Sequence, residues 1–405
     1  MTVPEPAQLL VGRLGNFELI RLLAQGGMAD IYLARQVGIG QFERHVAVKV
    51  LNAQRAGDRE SCALFLDEAR LVGMLNHGNL ASVHEVDAKD GVHYLAMEYV
   101  HGADLREILA QAQRYDVAIA YECALTIVTQ AAAGLDHAHR RCGPDGRPLH
   151  LVHRDVSLSN IMVGHDGSVK VIDFGIAIST ASIHTTNPGI VRGKASYMSP
   201  EQCLGDAVDL RTDVFALGVV LYELTTGRRC FQGNSDFERM LAVVRGDFVP
   251  PSVIVPDFSP ALEQVIKTAL ALDPAQRFAS AAAMIEALEA VAMLEGWTLA
   301  TGITQRMMRE LFGSVAEPWT TAAGDDTTYV CPPPVPAHDL DVPLPTVVIT
   351  KPRRLARGTE SDVYEAPQLC SHCLEHGVPE QQDWQDDAPT RGRRSLSIPR
   401  FWAAA

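Results

Sequence analysis

His153-Arg154-Asp155-Val156-Ser157-Leu158-Ser159-Asn160 is followed, one short stretch later, by Asp173-Phe174-Gly175. These two stretches decide how the chain is read. An aspartate, an asparagine five residues on and a second aspartate eighteen residues after the first carry the chemistry. Between them lie Ile161-Met162-Val163, the turn-forming Gly164-His165-Asp166-Gly167, and Val169-Lys170-Val171-Ile172. Two short β-branched runs joined by a glycine-containing turn predict a hairpin. A hairpin folds the chain back and would set Asn160 beside Asp173. Two oxygen-bearing side chains there suit Mg²⁺, a hard cation that keeps room for phosphate oxygens. Asp155 is then left to receive a proton from a hydroxyl nucleophile.

Composition bounds what can surround this centre. With 405 residues, 47% hydrophobic and 21% charged, the chain can fill a two-lobed domain and carry an extension. A net charge of −14 argues against nucleic acid or a membrane surface as a general partner. Met1 to Gln8 lacks the charged-then-apolar order of a signal segment. No apolar run approaches the ~20 residues of a membrane span; Phe215 to Leu224 is short and carries Glu223. The eight cysteines are scattered apart from Cys370 and Cys373. That pattern predicts a reduced, cytoplasmic protein with buried thiols rather than a disulfide framework.

Outward from the centre, Phe17 to Ala34 alternates around Gln25-Gly26-Gly27-Met28 and reads as strand, glycine-rich turn, strand. Such glycines let backbone N–H groups approach phosphates. Val46-Ala47-Val48-Lys49 reads as a strand. Phe65 to Leu75 has helical apolar spacing with Glu68 on the pattern, and His77-Gly78-Asn79 ends it. Val92 to Tyr99 is a further strand, leading into Val100-His101-Gly102. Tyr121 to Arg141 reads as a helix and Cys142 to His150 as a Gly/Pro loop. Ile176 to Arg192 is rich in Ser and Thr and has no period. Ala279 to Leu294 and Thr301 to Phe312 read as helices.

Together these stretches resemble the eukaryotic-type (Hanks-type) serine/threonine protein kinases of bacteria, from about Phe17 to Leu294. The resemblance implies an α+β, two-lobed protein kinase fold with a small β-rich N-lobe and a larger α-helical C-lobe. The expected organisation is a kinase domain over 17–294, an appended amphipathic helix over 295–313 and a largely disordered tail over 314–405. The implied activity is transfer of the ATP γ-phosphoryl group to Ser/Thr hydroxyls of proteins, with ATP and Mg²⁺ as cofactors. Asp155 would be the catalytic base, Asn160 and Asp173 the metal ligands. Lys49 would hold the phosphates, fixed by Glu68. Ala24, Gly26 and Gly27 would cover the nucleotide. Ala47, Ile31 and Met162 would sandwich the adenine, with Met97 behind it and the Glu98 and Val100 backbones reading its edge. Asp104 matches a position that meets the ribose or a basic substrate side chain. Val72, Val83, His153 and Phe174 would stack between the lobes. Glu201 would pair with Arg277, and Asp213 would hold the catalytic loop. Ser182, Thr185 and Thr186 are candidate phosphorylation sites, where a phosphate could pair with Arg154.

Several departures bear on activity. The family's glycine pattern falls on Ala24, Gly26 and Ala29. The lysine two residues after the catalytic aspartate is Ser157, and the threonine after Gly193 is Lys194. Lys194 is therefore expected to supply the cation near the γ-phosphate, an effect worth ~3–4 kcal/mol by comparison with a single oxyanion donor. Ile176 implies a preference for Thr over Ser acceptors. Ala24, Ala29 and Ser157 also keep open a second class of function, a nucleotide-binding pseudokinase or signalling scaffold. In the tail, Cys370, Cys373 and His376 have metal-ligand types, and Arg391-Gly392-Arg393-Arg394 is basic; the tail is expected to engage regulatory proteins.

Overall fold

Alternating apolar residues build the amino-terminal lobe of a computed structural model that describes residues 12–52, 58–174 and 195–317. Strands β1 (Gly12–Leu14), β2 (Phe17–Gln25), β3 (Ala29–Val37), β4 (Glu43–Leu51), β5 (Val83–Lys89) and β6 (Val92–Glu98) form an antiparallel sheet in the order β1-β2-β3-β4-β6-β5. The two-residue period separates its faces. Val46, Val48 and Val50 pack with Phe17, Tyr32 and Tyr94 on one side. Ala47 and Leu51 pack on the other with Phe65 and Ala69 of helix α1 (Arg59–Gly73). Lys49 falls in the second series and so faces α1.

Helix α1 starts six residues before the expected Phe65. Asp58 accepts hydrogen bonds from the Ser61 backbone N–H, at 3.2 Å, and from its hydroxyl, so it caps the N-terminus. At the other end Leu75 N–H bonds to Val72 O, tightening the last turn and ending the helix before Leu75.

The carboxy-terminal lobe is helical around one core. Its main helices are α2 (Leu105–Arg114), α3 (Tyr121–His139), α4 (Pro200–Leu204), α5 (Arg211–Thr226), α6 (Asp236–Arg245), α7 (Pro251–Ile254), α8 (Pro260–Ala269), α9 (Ala281–Glu295) and α10 (Thr301–Phe312). Helix α2 went unforeseen in the sequence. Its signal is Asp104, whose side chain accepts the Glu107 N–H at 3.0 Å. The α3 helix stops two residues short of the expected Arg141. Ser280 caps α9 through Ala283 N–H, which moves its start from Ala279 to Ala281. After the hinge, residues 99–101 between β6 and the large lobe, comes a three-stranded sheet in the order β7 (Gly102–Asp104), β8 (Ile161–Gly164) and β9 (Val169–Val171). In it Ile161 faces Val171 and Met162 faces Lys170. No helix among the described residues is long and apolar enough to cross a membrane. Lys194, the Ile176–Arg192 segment with Ser182, Thr185 and Thr186, the Cys370, Cys373 and His376 group and the tail from 318 lie outside the described residues.

One buried ion pair organises the large lobe. Both outer nitrogens of Arg277 donate to the two Glu201 oxygens at 2.7 Å. The guanidinium also donates to the carbonyls of Ala271, Arg211 and Leu272 and lies 4.9 Å over the Phe215 ring. Burial pushes the Glu201 carboxyl up, but the hydrogen bonds from Arg277 and Thr212 outweigh it and hold its pKa below the usual value. A carboxyl depressed in the folded state stabilises above its unfolded pKa, and that contribution is lost as the pH falls. Glu201→Gln should therefore cost about 3–5 kcal/mol near pH ~7. The gap to wild type should narrow below about pH 4. Urea unfolding at the two pH values measures both; a gap independent of pH would contradict the charged pair.

Candidate active site

Lys49 Nζ lies 3.0 Å from Glu68 Oε1 and 3.2 Å from Asp173 Oδ1. The Lys49 and Glu68 side chains are 13% and 7% exposed. Burial alone would lower the lysine pKa, but the facing Asp173 and Glu68 carboxylates overcome it and hold the ammonium charged, above its ordinary pKa. Burial raises the Glu68 carboxyl, against the pull of Lys49. One ammonium is thus shared by two carboxylates, one from each lobe.

The catalytic loop is held from below by a buried carboxylate. Asp213 accepts from His153 N–H at 2.8 Å, Arg154 N–H at 2.9 Å and His139 Nε2 at 2.7 Å. Burial would raise the Asp213 carboxyl; the hydrogen bond and charge of His139 hold it below the usual value instead. Gln202 Nε2 donates to Arg154 O at 2.9 Å. These bonds hold Arg154 in left-handed backbone, φ 64°, a conformation costly for a residue with a side chain. His153 Nδ1 accepts the Asp155 N–H, so its Nε2 carries the hydrogen and donates to Ile172 O at 3.1 Å. Its ring lies 4.6 Å from that of Phe174.

The hairpin brings the metal-type residues together through the backbone. Ile172 N–H donates to Asn160 O at 2.9 Å, which sets Asn160 next to the residue preceding Asp173. Asn160 Nδ2 donates to Asp155 O at 2.7 Å and to Asp155 Oδ2 at 2.9 Å. Asn160 Oδ1 accepts the Ser159 hydroxyl at 3.3 Å, which leaves that oxygen a second lone pair for a further ligand. Asp173 stands at φ 51°, a second strained position in the site. An oxygen donor set of one amide and one carboxylate fits Mg²⁺, which completes its shell with water and phosphate oxygens.

The remaining expectations divide. Ala24, Gly26 and Gly27 are exposed at the tip of the β2–β3 hairpin. Gly26 N–H bonds to Ala29 O, and a Cβ at Gly26 would fall 2.7 Å from that oxygen. Asn52 Nδ2 ties Gly26 O to the end of β4 at 2.8 Å. Ala29, at the family's third glycine, is a buried core residue beside Ala47, Leu51 and Phe65, which explains a methyl group there. Ile31 and Met97 join that cluster; Val100 is buried. Met162 lies on the C-lobe sheet between Asp104 and Lys170. Val72, Val83 and Phe174 line a cavity of about 20 Å³ behind Met97, room for about one water. Asp104, expected near a ribose or a basic side chain, spends its carboxylate on the α2 N-cap and on Arg106 at 2.7 Å. Ser157 Oγ bonds to Ser159 Oγ at 2.9 Å and brings no positive charge.

Three functional contacts escaped the sequence. Glu98 pairs through its side chain with Lys170 at 2.8 Å, joining the strand before the hinge to β9. His139 has no local signal, being 74 residues from Asp213. Gln202 does have one: Ser199-Pro200-Glu201-Gln202 is a capping box, with Ser199 N–H donating to Gln202 Oε1 at 3.0 Å. That box also explains why Ser199 stands where the family carries alanine.

The sequence profile of the protein kinase domain matches residues 17–288. The tyrosine-protein kinase MasK of Myxococcus xanthus is 39% identical, over 68% of this chain and 43% of its own length. The serine/threonine-protein kinase PrkC of Bacillus subtilis is 33% identical, over 67% and 40%. PknB of Mycolicibacterium smegmatis is 39% identical, over 66% and 42%. The chain thus spans about two fifths of the length of these curated relatives. The crystal structure of the Mycobacterium tuberculosis PknI kinase domain aligns with a TM-score of 0.51 at 28% identity, covering 70% of this chain and 98% of that one. A cleft with Lys49 between Glu68 and Asp173, and a catalytic loop pinned by Asp213, therefore sit in a chain that belongs to the protein kinase domain family.

Proposed function

We propose that the chain is an ATP-dependent serine/threonine protein kinase whose acceptors are Ser/Thr hydroxyls of proteins, its own activation loop included. The observation that carries this reading is the ammonium of Lys49 shared between Glu68 and Asp173. Lys49 holds the ATP phosphates and Glu68 orients it. Ala47, Ile31 and Met162 would hold the adenine and the Glu98 and Val100 backbones would read its edge, while Ala24, Gly26 and Gly27 would cover the phosphates. Asn160 and Asp173 hold Mg²⁺, which when bound neutralises charge on the phosphate oxygens. Asp155 orients the acceptor hydroxyl and takes its proton as the new O–P bond forms and the β–γ bridge breaks, releasing ADP. The rate comes from positioning and electrostatics. Lys194 supplies the cation that Ser157 does not.

The names of PrkC and PknB favour Ser/Thr acceptors, and the name of MasK makes tyrosine the competing one. The cytoplasm, with its ATP and protein acceptors, suits this activity. Regulatory proteins would engage the tail over 314–405. The competing reading, a nucleotide-binding pseudokinase, rests on the sequence departures at Ala24, Ala29 and Ser157.

Mass spectrometry after incubation with Mg-ATP tests the proposal. Wild type should gain phosphoserine or phosphothreonine. Asp155→Asn should be slower by about 10²–10⁴. Phosphotyrosine alone would reassign the acceptor, and no incorporation with ATP still bound would favour the pseudokinase. In the same assay Lys194→Ala should lose about 10²-fold, as for an oxyanion donor, and Lys194→Arg should retain most activity. Equal rates for all three would remove Lys194 from the mechanism.

A further inference from the structure

Helix α10 lies beyond the residues that the kinase domain profile matches, yet it packs beside the hinge. Met307, Met308 and Leu311 bury one face of α10 in the C-lobe core. Gln111 of α2 donates to Leu311 O at 3.1 Å. Thr304 Oγ1 lies 2.7 Å from Gly167 O, in the turn between β8 and β9, and 2.8 Å from Thr301 O. Gly167 has φ 84°, and a Cβ there would fall 2.3 Å from Thr301 O. The turn and the helix therefore meet backbone to backbone.

A row of rings continues from this contact to the hinge. Phe312 meets His165 edge-on, with ring centroids 6.1 Å apart. The His165 ring lies 4.7 Å from that of His101, and His165 N–H donates to His101 O at 2.9 Å. Beyond the helix the chain returns to the same residue, with Val315 O 3.4 Å from His101 Nε2. His101 directly follows Val100, the hinge residue assigned above to the adenine edge.

We infer that α10 and residues 313–317 brace the hinge from its outer side, and that His101, His165 and Phe312 are positioning residues for the nucleotide. None of them touches the nucleotide; each fixes the backbone assigned to the adenine edge. The inference rests on the proposed ATP site. A hinge held from outside keeps its adenine-reading groups in place before nucleotide arrives, so less ordering is left to binding. The brace also links the carboxy-terminal region to nucleotide affinity.

The test is titration of the full chain, with Mg²⁺, by a fluorescent ATP analogue. Phe312→Ala and His165→Ala should each weaken binding about 3–10-fold, the range of one aromatic contact. The double variant should lose less than the product of the two, because both substitutions break one row. Phe312→Tyr keeps the ring and should bind within about 2-fold of wild type. The KM for ATP should rise with the Kd while kcat at saturating ATP stays within about 2-fold, the mark of lost ground-state binding. If Phe312→Ala does not fold, the same criteria apply to His165→Ala against His165→Phe. Variants that bind as wild type, an aromatic replacement that fails to rescue, or a loss confined to kcat would overturn the brace alone. A wild-type chain that does not bind the analogue would overturn the ATP site and the brace together.

Discussion

The buried ammonium of Lys49, placed between Glu68 and Asp173, is the interaction on which the rest of the site depends. It joins three elements far apart in sequence: strand β4, helix α1 and the segment after β9. A lysine so deeply placed stays charged only because the two carboxylates offset its desolvation. The reverse also holds, since two carboxylates this close repel one another unless a cation stands between them. The lobes are thereby coupled through one ammonium held by a carboxylate from each.

The second constraint is rigidity of the catalytic loop. Its backbone includes a residue in left-handed conformation, Arg154, and such strain persists only where surrounding bonds over-determine it. Asp213 from below and Gln202 from the side meet that need. Asp213 is useful there because it stays ionised, and its charge strengthens the hydrogen bonds it receives. The Glu201–Arg277 pair then fixes the helix that carries Gln202 against the rest of the lobe. Stability in the large lobe and geometry at Asp155 are in this way one network.

Much of this was legible before any coordinates. The β-branched runs on either side of the Gly164–Gly167 turn predict a hairpin, and β8 and β9 form it with Ile161 facing Val171. The strand containing Lys49 and the helix containing Glu68 follow from periods of two and near four. The family resemblance carried the Glu201–Arg277 pair, but long-range contacts outside its motifs could not be read. His139 reaches Asp213 only where α3 packs on α5 within the large lobe, and Lys170 reaches Glu98 only where the two lobes meet. Local signals were also passed over: the Asp104 and Asp58 caps and the Ser199–Gln202 box each obey simple spacing rules. The alanine at 29 looked like a missing glycine; packing shows it to be a core residue, which no loop pattern reveals.

The central claim is that Lys49, Asn160 and Asp173 serve one nucleotide and its metal. A crystal structure of the full chain with Mg²⁺ and a non-hydrolysable ATP analogue tests it most directly. Lys49 should keep Glu68 and contact the α- and β-phosphates, Asn160 and Asp173 should coordinate Mg²⁺, and Asp155 should face the γ-phosphate from the acceptor side. A nucleotide bound elsewhere, with Lys49 touching no phosphate and Asn160 and Asp173 holding no metal, would contradict it.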